Sequence, residues 1–332
     1  MPMSMKTILK YGMVLLAASA LLVSCNPDSL QEESVIMVDN RTQNDFDKWL
    51  EHNFVNAYNT VIKYRYEMNE SNYSYYTTPA DMDCAIMMAH LLKYLCIDVY
   101  DEAVGPSFTR SYFPKLFFFI GEWEFNNAGT IQLGTAEGGK KIFLTGVNYL
   151  PWIMEGSWGE YRRDPKEGMN HYYIKTIHHE FTHILNQNKD YQTEFKQITS
   201  TGYVQDAWST ADYRYDHLQR GFISTYSQKD DREDFAELMS LYVTKSEDEW
   251  NEYLEKAGWA VTGDSEDDWI LDEDGNHEPA PGRGILLNKI ELVKAYMMDT
   301  YGVDMDVLRE TILRRQEEVF SGQVDLTSLE IN

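Results

Sequence analysis

The chain is poor in cysteine and in positive charge, and each shortage closes off a class of function. Three cysteines occur, Cys25, Cys84 and Cys96, too few for a disulfide-stapled fold or for a zinc site built from cysteine pairs. If Cys84 and Cys96 share one helix they stand about 18 Å apart along its axis, so two buried thiols are expected rather than a disulfide. Lysine and arginine number 29 against 54 aspartates and glutamates. That balance makes nucleic acid and anionic lipid surfaces poor partners. Beyond residue 24 no run is long and apolar enough to span a bilayer, and the chain contains no internal repeat or low-complexity tract.

What is present begins with a leader. Lys6 and Lys10 precede an apolar run over residues 12–23 that is too short to cross a bilayer, the pattern of a secretory signal. Leu22, Val23, Ser24 and Cys25 resemble the lipobox of bacterial lipoproteins, which implies cleavage after residue 24 and lipidation of Cys25. Residues 1–24 are therefore expected to be a lipoprotein signal peptide, and residues 25–43 the acylated Cys and a polar tether. Removing Lys6 and Lys10 from the 29 basic residues leaves 27 against 54 acidic, a mature net charge of about −27. The remaining body, 43% hydrophobic and 14% aromatic over the whole chain, is ample for a packed core.

Periodicity then divides the body. Phe46, Trp49, Leu50 and Phe54 predict a helix over residues 45–56, the alternating segment 60–66 a first strand, and Pro79 a helix start for a segment running to about Tyr100. A polar loop over 69–76 separates these two. The runs 116–123, 130–136 and 141–147, separated by Asn126, Asn127, Ala128 and Gly129 and by Gly138 and Gly139, predict a three-stranded meander. A helix from residue 170 carries Tyr173, Ile174, Ile177, Phe181, Ile184 and Leu185 on its apolar face. An acidic first turn at 230–234 opens another helix, 263–283 is a charged loop, and 285–301 and 306–320 are helical. The expected fold is α+β and zincin-like: a small mixed or antiparallel β-sheet packed on an active-site helix over residues 44–190, with a mainly α-helical C-terminal lobe over 191–332.

That active-site helix carries His179, Glu180 and His183 in the pattern H-E-x-x-H. On a helix the two histidines lie on one face and can grip one metal ion, with Glu180 about 100° round the axis. This is a zinc hydrolase site in outline, one short of the three protein ligands a catalytic zinc takes. Asn186 and Lys189 occupy the positions where a metzincin needs Gly and His, so that route to a third ligand is closed. The downstream acidic cluster 233–237 supplies two candidates one turn apart, Glu233 and Glu237, and spacing does not choose between them. His178 points to another face of the helix and reads as structural or as a support behind a ligand, His171 and His217 as packing or surface residues, and 272–276 as a solvated acidic loop.

Tyr226, Glu233 and Glu237, seven and four apart, resemble the corresponding region of lethal-factor-type gluzincins. Residues 176–185, 221–226 and 233–237 together resemble more closely the substrate-import-associated zinc metallohydrolase lipoproteins, with further likeness at 61–66 and 133–139 and over about 45–315. Asn186 and the 225–227 triplet depart mildly from that family. The resemblance implies that His179, His183 and Glu233 hold one zinc ion, that Glu180 is general base and then acid, that Tyr226 donates to the oxyanion and that Glu237 orients a ligand histidine. It also implies a peptide or glycopeptide substrate, an outer-membrane import complex as partner, and an outer-membrane lipoprotein on the periplasmic or cell-surface face that meets the membrane through its lipid alone. Two rivals stay open: a non-catalytic zinc-containing peptide- or glycopeptide-binding lipoprotein, and a zinc hydrolase of a non-peptide amide.

Overall fold

A computed structural model describes residues 42–67, 78–125, 131–137, 140–262, 265 and 268–331. The expected leader, Cys25, nearly all of the tether, the 69–76 loop and the turns at 126–129 and 138–139 lie outside the described residues. Asn44–Asn332 forms one compact unit.

Asn44 caps α1 (Asp45–Leu50) through a reciprocal box with Asp47, and a π-helical turn, Glu51–Asn56, continues it. The first strand is shorter than expected, β1 (Val61–Lys63). Pro79 does not open the next helix, because it bridges to Ile120; Asp81 precedes α2 (Met82–Leu92) instead. That helix runs through a π-turn into α3 (Asp98–Ala103), followed by α4 (Pro106–Tyr112). Cys84 and Cys96 are free and buried.

The strands β2 (Leu116–Phe119), β3 (Glu124–Phe125), β4 (Ile131–Gln132), β5 (Gly134–Glu137) and β6 (Lys141–Leu144) do not make a meander. The sheet runs β1-β2-β6-β5, with β1, β2 and β6 parallel and only β5 antiparallel, while β3 and β4 form a separate ribbon. The reason lies in burial on both faces. Phe117, Phe119, Ile142 and Leu144 enter the main core, while Phe118 and Phe143 pack with Ile120 on the opposite face. Near-continuous apolar runs of this kind suit parallel strands, whereas a half-solvated meander would alternate.

Beyond the sheet come α5 (Leu150–Met154) and α6 (Pro165–Met169). A π-turn, Asn170–Ile174, joins α6 to the motif helix α7 (Lys175–Asn188), and α8 (Thr193–Ile198) follows. The remainder is helical: α9 (Asp231–Thr244), α10 (Glu247–Lys256), α11 (Gly282–Tyr301) and α12 (Met305–Phe320). The architecture is α+β. Among the described residues no helix is long and apolar enough to cross a membrane.

Two close approaches fix the motif helix and its partner. Tyr173, in the π-turn, donates to Gly146 O at 2.7 Å. Gly146 has φ +69°, and a Cβ there would fall 2.2 Å from the Trp123 ring, so only glycine fits. On the other side, fully buried Lys289 of α11 donates to Gly221 O at 2.8 Å and to Asp234 Oδ2 at 2.5 Å. This ties the loop before Tyr226 to the first turns of α9. Lys289→Met strands the Asp234 carboxylate in the core, and a loss of about 3–5 kcal/mol is expected in chemical denaturation. A loss under about 0.5 kcal/mol, the size of a surface change, would show that the pair does not tie these elements together.

Candidate metal centre

The motif helix buries Ile177, Phe181, Ile184 and Leu185 in the core. His178 turns with them: it is fully buried, its Nδ1 lies 3.1 Å from Tyr100 Oη, and burial lowers its pKa to about 4. A neutral, core-packed imidazole is what its position on the helix predicted. His179 and His183 take the face toward α9, one turn apart.

Helix α9 approaches antiparallel. Glu233, in its first turn, meets His183, while at the opposite end Asn170 Nδ2 donates to Thr244 O at 3.4 Å. The Asp230 side chain caps the helix by accepting from Arg232 N at 2.9 Å and Glu233 N at 3.1 Å, which sets the Glu233 backbone at that end.

Three donor atoms converge there. Glu233 Oε2 is 3.1 Å from His179 Nε2 and 3.0 Å from His183 Nε2, and the two nitrogens are 3.1 Å apart. Among the described residues, these side chains form the group able to hold a metal ion. Two imidazole nitrogens and one carboxylate oxygen facing a common point suit a tetrahedral zinc, whose donors, at 2.0–2.1 Å, stand about 3.3 Å from each other. The tautomer fits as well. His179 Nδ1 lies 2.9 Å from Glu237 Oε1, and a ring proton on the nitrogen facing that carboxylate would leave the Nε2 lone pair for a metal.

Glu237 thus stands behind the histidine rather than beside the metal position. Buried Glu237 takes Lys175 Nζ on Oε1 and Ser224 Oγ on Oε2 at 2.6 Å. Burial pushes both glutamates toward the neutral acid, but His179 and His183 around Glu233, and Lys175 and His179 around Glu237, hold each carboxyl well below the usual range. Burial likewise disfavours charge on His179, yet the two carboxylates outweigh it and raise its pKa to about 9. The two carboxylates therefore favour positive charge at the imidazoles that face them.

A family described as "Putative zinc-binding metallo-peptidase" matches residues 39–306. The chain belongs to that family. The crystal structure of a putative zinc-binding metallo-peptidase from Bacteroides caccae ATCC 43185 is 31% identical, covers 86% of this chain and 96% of that one, and superposes with a TM-score of 0.65. Among curated proteins none matches.

In this member of the zinc-binding metallo-peptidase family the metal group opens onto a cavity of about 1110 Å³. Glu180, buried and outside the donor group, lines that cavity beside His179. Tyr226 lines it too, but its hydroxyl donates to Glu233 Oε1 at 2.9 Å rather than pointing free. The Trp208 and Tyr226 rings meet nearly at right angles, their centroids 5.0 Å apart. His171 and His217, which sequence reading set aside, also line the cavity; His171 contacts Tyr161 Oη, and burial lowers its pKa to about 4. Neither is brought to the metal group. The 272–276 segment is an exposed turn in which Asp272 accepts from Asp274 N and Asn276 N.

Sequence reading missed Lys175, Ser224 and Lys229. Lys229 precedes Glu233 by four residues, the spacing of helical ion pairs, whereas Lys175 pairs across to Glu237 on α9. Lys229 Nζ reaches both Glu233 Oε1 at 2.9 Å and Tyr226 Oη at 3.0 Å. The Lys229 offset was visible in the sequence, but only with Glu233 placed in the donor group could it be read as part of the site.

Proposed function

We propose that this chain is a zinc metallopeptidase that binds one zinc ion through His179, His183 and Glu233 and hydrolyses peptide or glycopeptide substrates. The observation that carries the reading is the convergence of those three donors on one point beside the carboxylate of Glu180. When bound, the zinc supplies a Lewis acid and lowers the pKa of water to about 7. The chain's own groups then have distinct tasks. Glu180 takes a proton from the attacking water and returns it to the leaving amine. Tyr226 donates its hydroxyl to the oxygen that gains charge as the carbonyl is attacked. Glu237, with Lys175 and Ser224 behind it, holds the His179 ring in one tautomer and orientation.

Substrate alignment follows from the sheet. Strand β5 ends the described sheet and packs against the motif helix, and Leu133 just before it lines the cavity. An extended peptide pairing with that edge would lay its backbone across the metal group. Residues 1–25 support a lipoprotein with the lipid on Cys25 as the membrane contact, and the likeness to import-associated lipoproteins supports a place on the outer membrane, facing the periplasm or the cell surface, beside a nutrient-import complex.

The test is product mass spectrometry on mixed peptides and glycans incubated with the zinc-loaded chain, with the Cys25→Ser variant fractionated alongside. Cleavage at peptide bonds is expected, together with release of C25S from the membrane fraction. Stoichiometric zinc with no turnover would instead make the chain a binding lipoprotein. Products confined to non-peptide amides would move the substrate class, and C25S remaining in the membrane fraction would remove the anchor.

A further inference from the structure

The two oxygens of Glu233 have different neighbours. Oε2 faces the imidazole nitrogens, whereas Oε1 accepts from Tyr226 Oη at 2.9 Å and from Lys229 Nζ at 2.9 Å. Lys229 also donates to Tyr226 Oη at 3.0 Å, closing a triangle of ammonium, phenol and carboxylate oxygen. The lysine Nζ lies 5.1 Å from the centre of the Tyr226 ring, so its chain is laid along the tyrosine. Lys229 precedes α9 and lies four residues before Glu233, which places its ammonium over the first turn of that helix.

This triangle bears on a difficulty in the reaction. A phenol has one proton to give. Tyr226 spends it on Glu233 Oε1, and the same proton is required by the substrate oxygen as charge develops there. Were Tyr226 its sole donor, moving that proton would strand Oε1, an oxygen of a partly buried carboxylate. An ammonium has three donors, so Lys229 can stay on Oε1 while Tyr226 turns away, and its second hydrogen bond, into the phenol oxygen, makes that hydroxyl a stronger donor.

We propose that Lys229 is a positioning residue that holds Glu233 Oε1 away from the metal and takes over that oxygen when Tyr226 transfers its hydrogen bond to the substrate. The second half of this inference rests on the reading of Tyr226 as donor to the reacting carbonyl; the first half does not. Two donors on one oxygen predict redundancy at rest. Either donor alone keeps Glu233 bound through Oε2 only, and loss of both frees Oε1 to bind the metal as well. During turnover the redundancy disappears, because Tyr226 is engaged elsewhere and Lys229 is the sole donor left.

The experiment uses the full chain loaded with cobalt(II), whose visible absorption weakens when coordination rises from four to five, and with zinc for kinetics. Variants are Lys229→Met, Lys229→Arg, Tyr226→Phe and the K229M/Y226F double. The resting cobalt bands of each single variant should match the unmodified chain, and those of the double variant should fall severalfold. In peptide hydrolysis, K229M should lower kcat by about tenfold, within the range for groups that support a metal ligand, with KM changed less than twofold, and K229R should recover most of the loss. In the Y226F background K229M leaves Oε1 free to bind the metal, so its kcat cost there should accompany the fall of the cobalt bands, whereas K229R, which keeps a donor on Oε1, should cost less than twofold.

A five-coordinate spectrum in Y226F alone, or an unchanged spectrum in the double variant, overturns the holding role. No loss of kcat from K229M while Tyr226 is present overturns the transfer. If the zinc-loaded chain cleaves nothing, the peptidase reading fails by itself, and the cobalt spectra still decide whether Lys229 holds Glu233.

Discussion

Glu180→Gln is expected to retain zinc and to lower kcat/KM for peptides by on the order of 10²–10⁴-fold, the range attributed to a general base. The three donor atoms belong to His179, His183 and Glu233, so the metal group does not need Glu180. The side chain of Glu180 nevertheless lines the same cavity and is carried on the same rigid helix, one residue after a ligand. Gln keeps its size and its place but cannot accept a proton. Zinc content measured with the kinetics distinguishes loss of the base from loss of the metal. A variant that keeps both its zinc and its activity would remove Glu180 from the chemistry.

The second large effect separates two glutamates one helical turn apart. Glu233→Gln removes the charged donor shared by both imidazoles, and the protein is expected to emerge from buffer exchange without metal and without activity. Glu237→Gln leaves all three donor atoms in place. It loosens the His179 ring and leaves Lys175 without its carboxylate, so zinc affinity should fall by about 10–100-fold while the metal still binds. Metal competition against a chromophoric chelator reads both variants in one assay. The reverse ranking, with E237Q metal-free and E233Q loaded, would exchange the two roles.

How far the sequence carries these assignments depends on the range of the interaction that decides each one. The pairing of His179 and His183 was legible because a helix places residues four apart on one face whatever lies around it. The helices of the C-terminal part were legible for the same reason: their apolar periodicity and acidic first turns are local signals. The choice between Glu233 and Glu237 was not local. It depends on the antiparallel approach of α9, secured from outside the motif by the Lys289–Asp234 pair and by Asn170 against Thr244. The sheet was misread for a related reason. Short apolar runs such as 116–119 and 141–144 show that a strand is buried but not which neighbour it pairs with or in what direction. Tyr226 was found by its likeness to known gluzincins, but its resting partner, Glu233 Oε1, and the lysine that shares it emerge only from the folded chain.

The claim on which everything else stands is that zinc sits between His179, His183 and Glu233. X-ray absorption at the zinc edge of the zinc-loaded chain tests it most directly. The account predicts about one zinc per chain, with nitrogen and oxygen donors only at about 2.0–2.1 Å, the multiple-scattering signature of two imidazoles, and loss of that spectrum in Glu233→Gln. A sulfur shell, a third imidazole, or an unchanged spectrum in E233Q would contradict it.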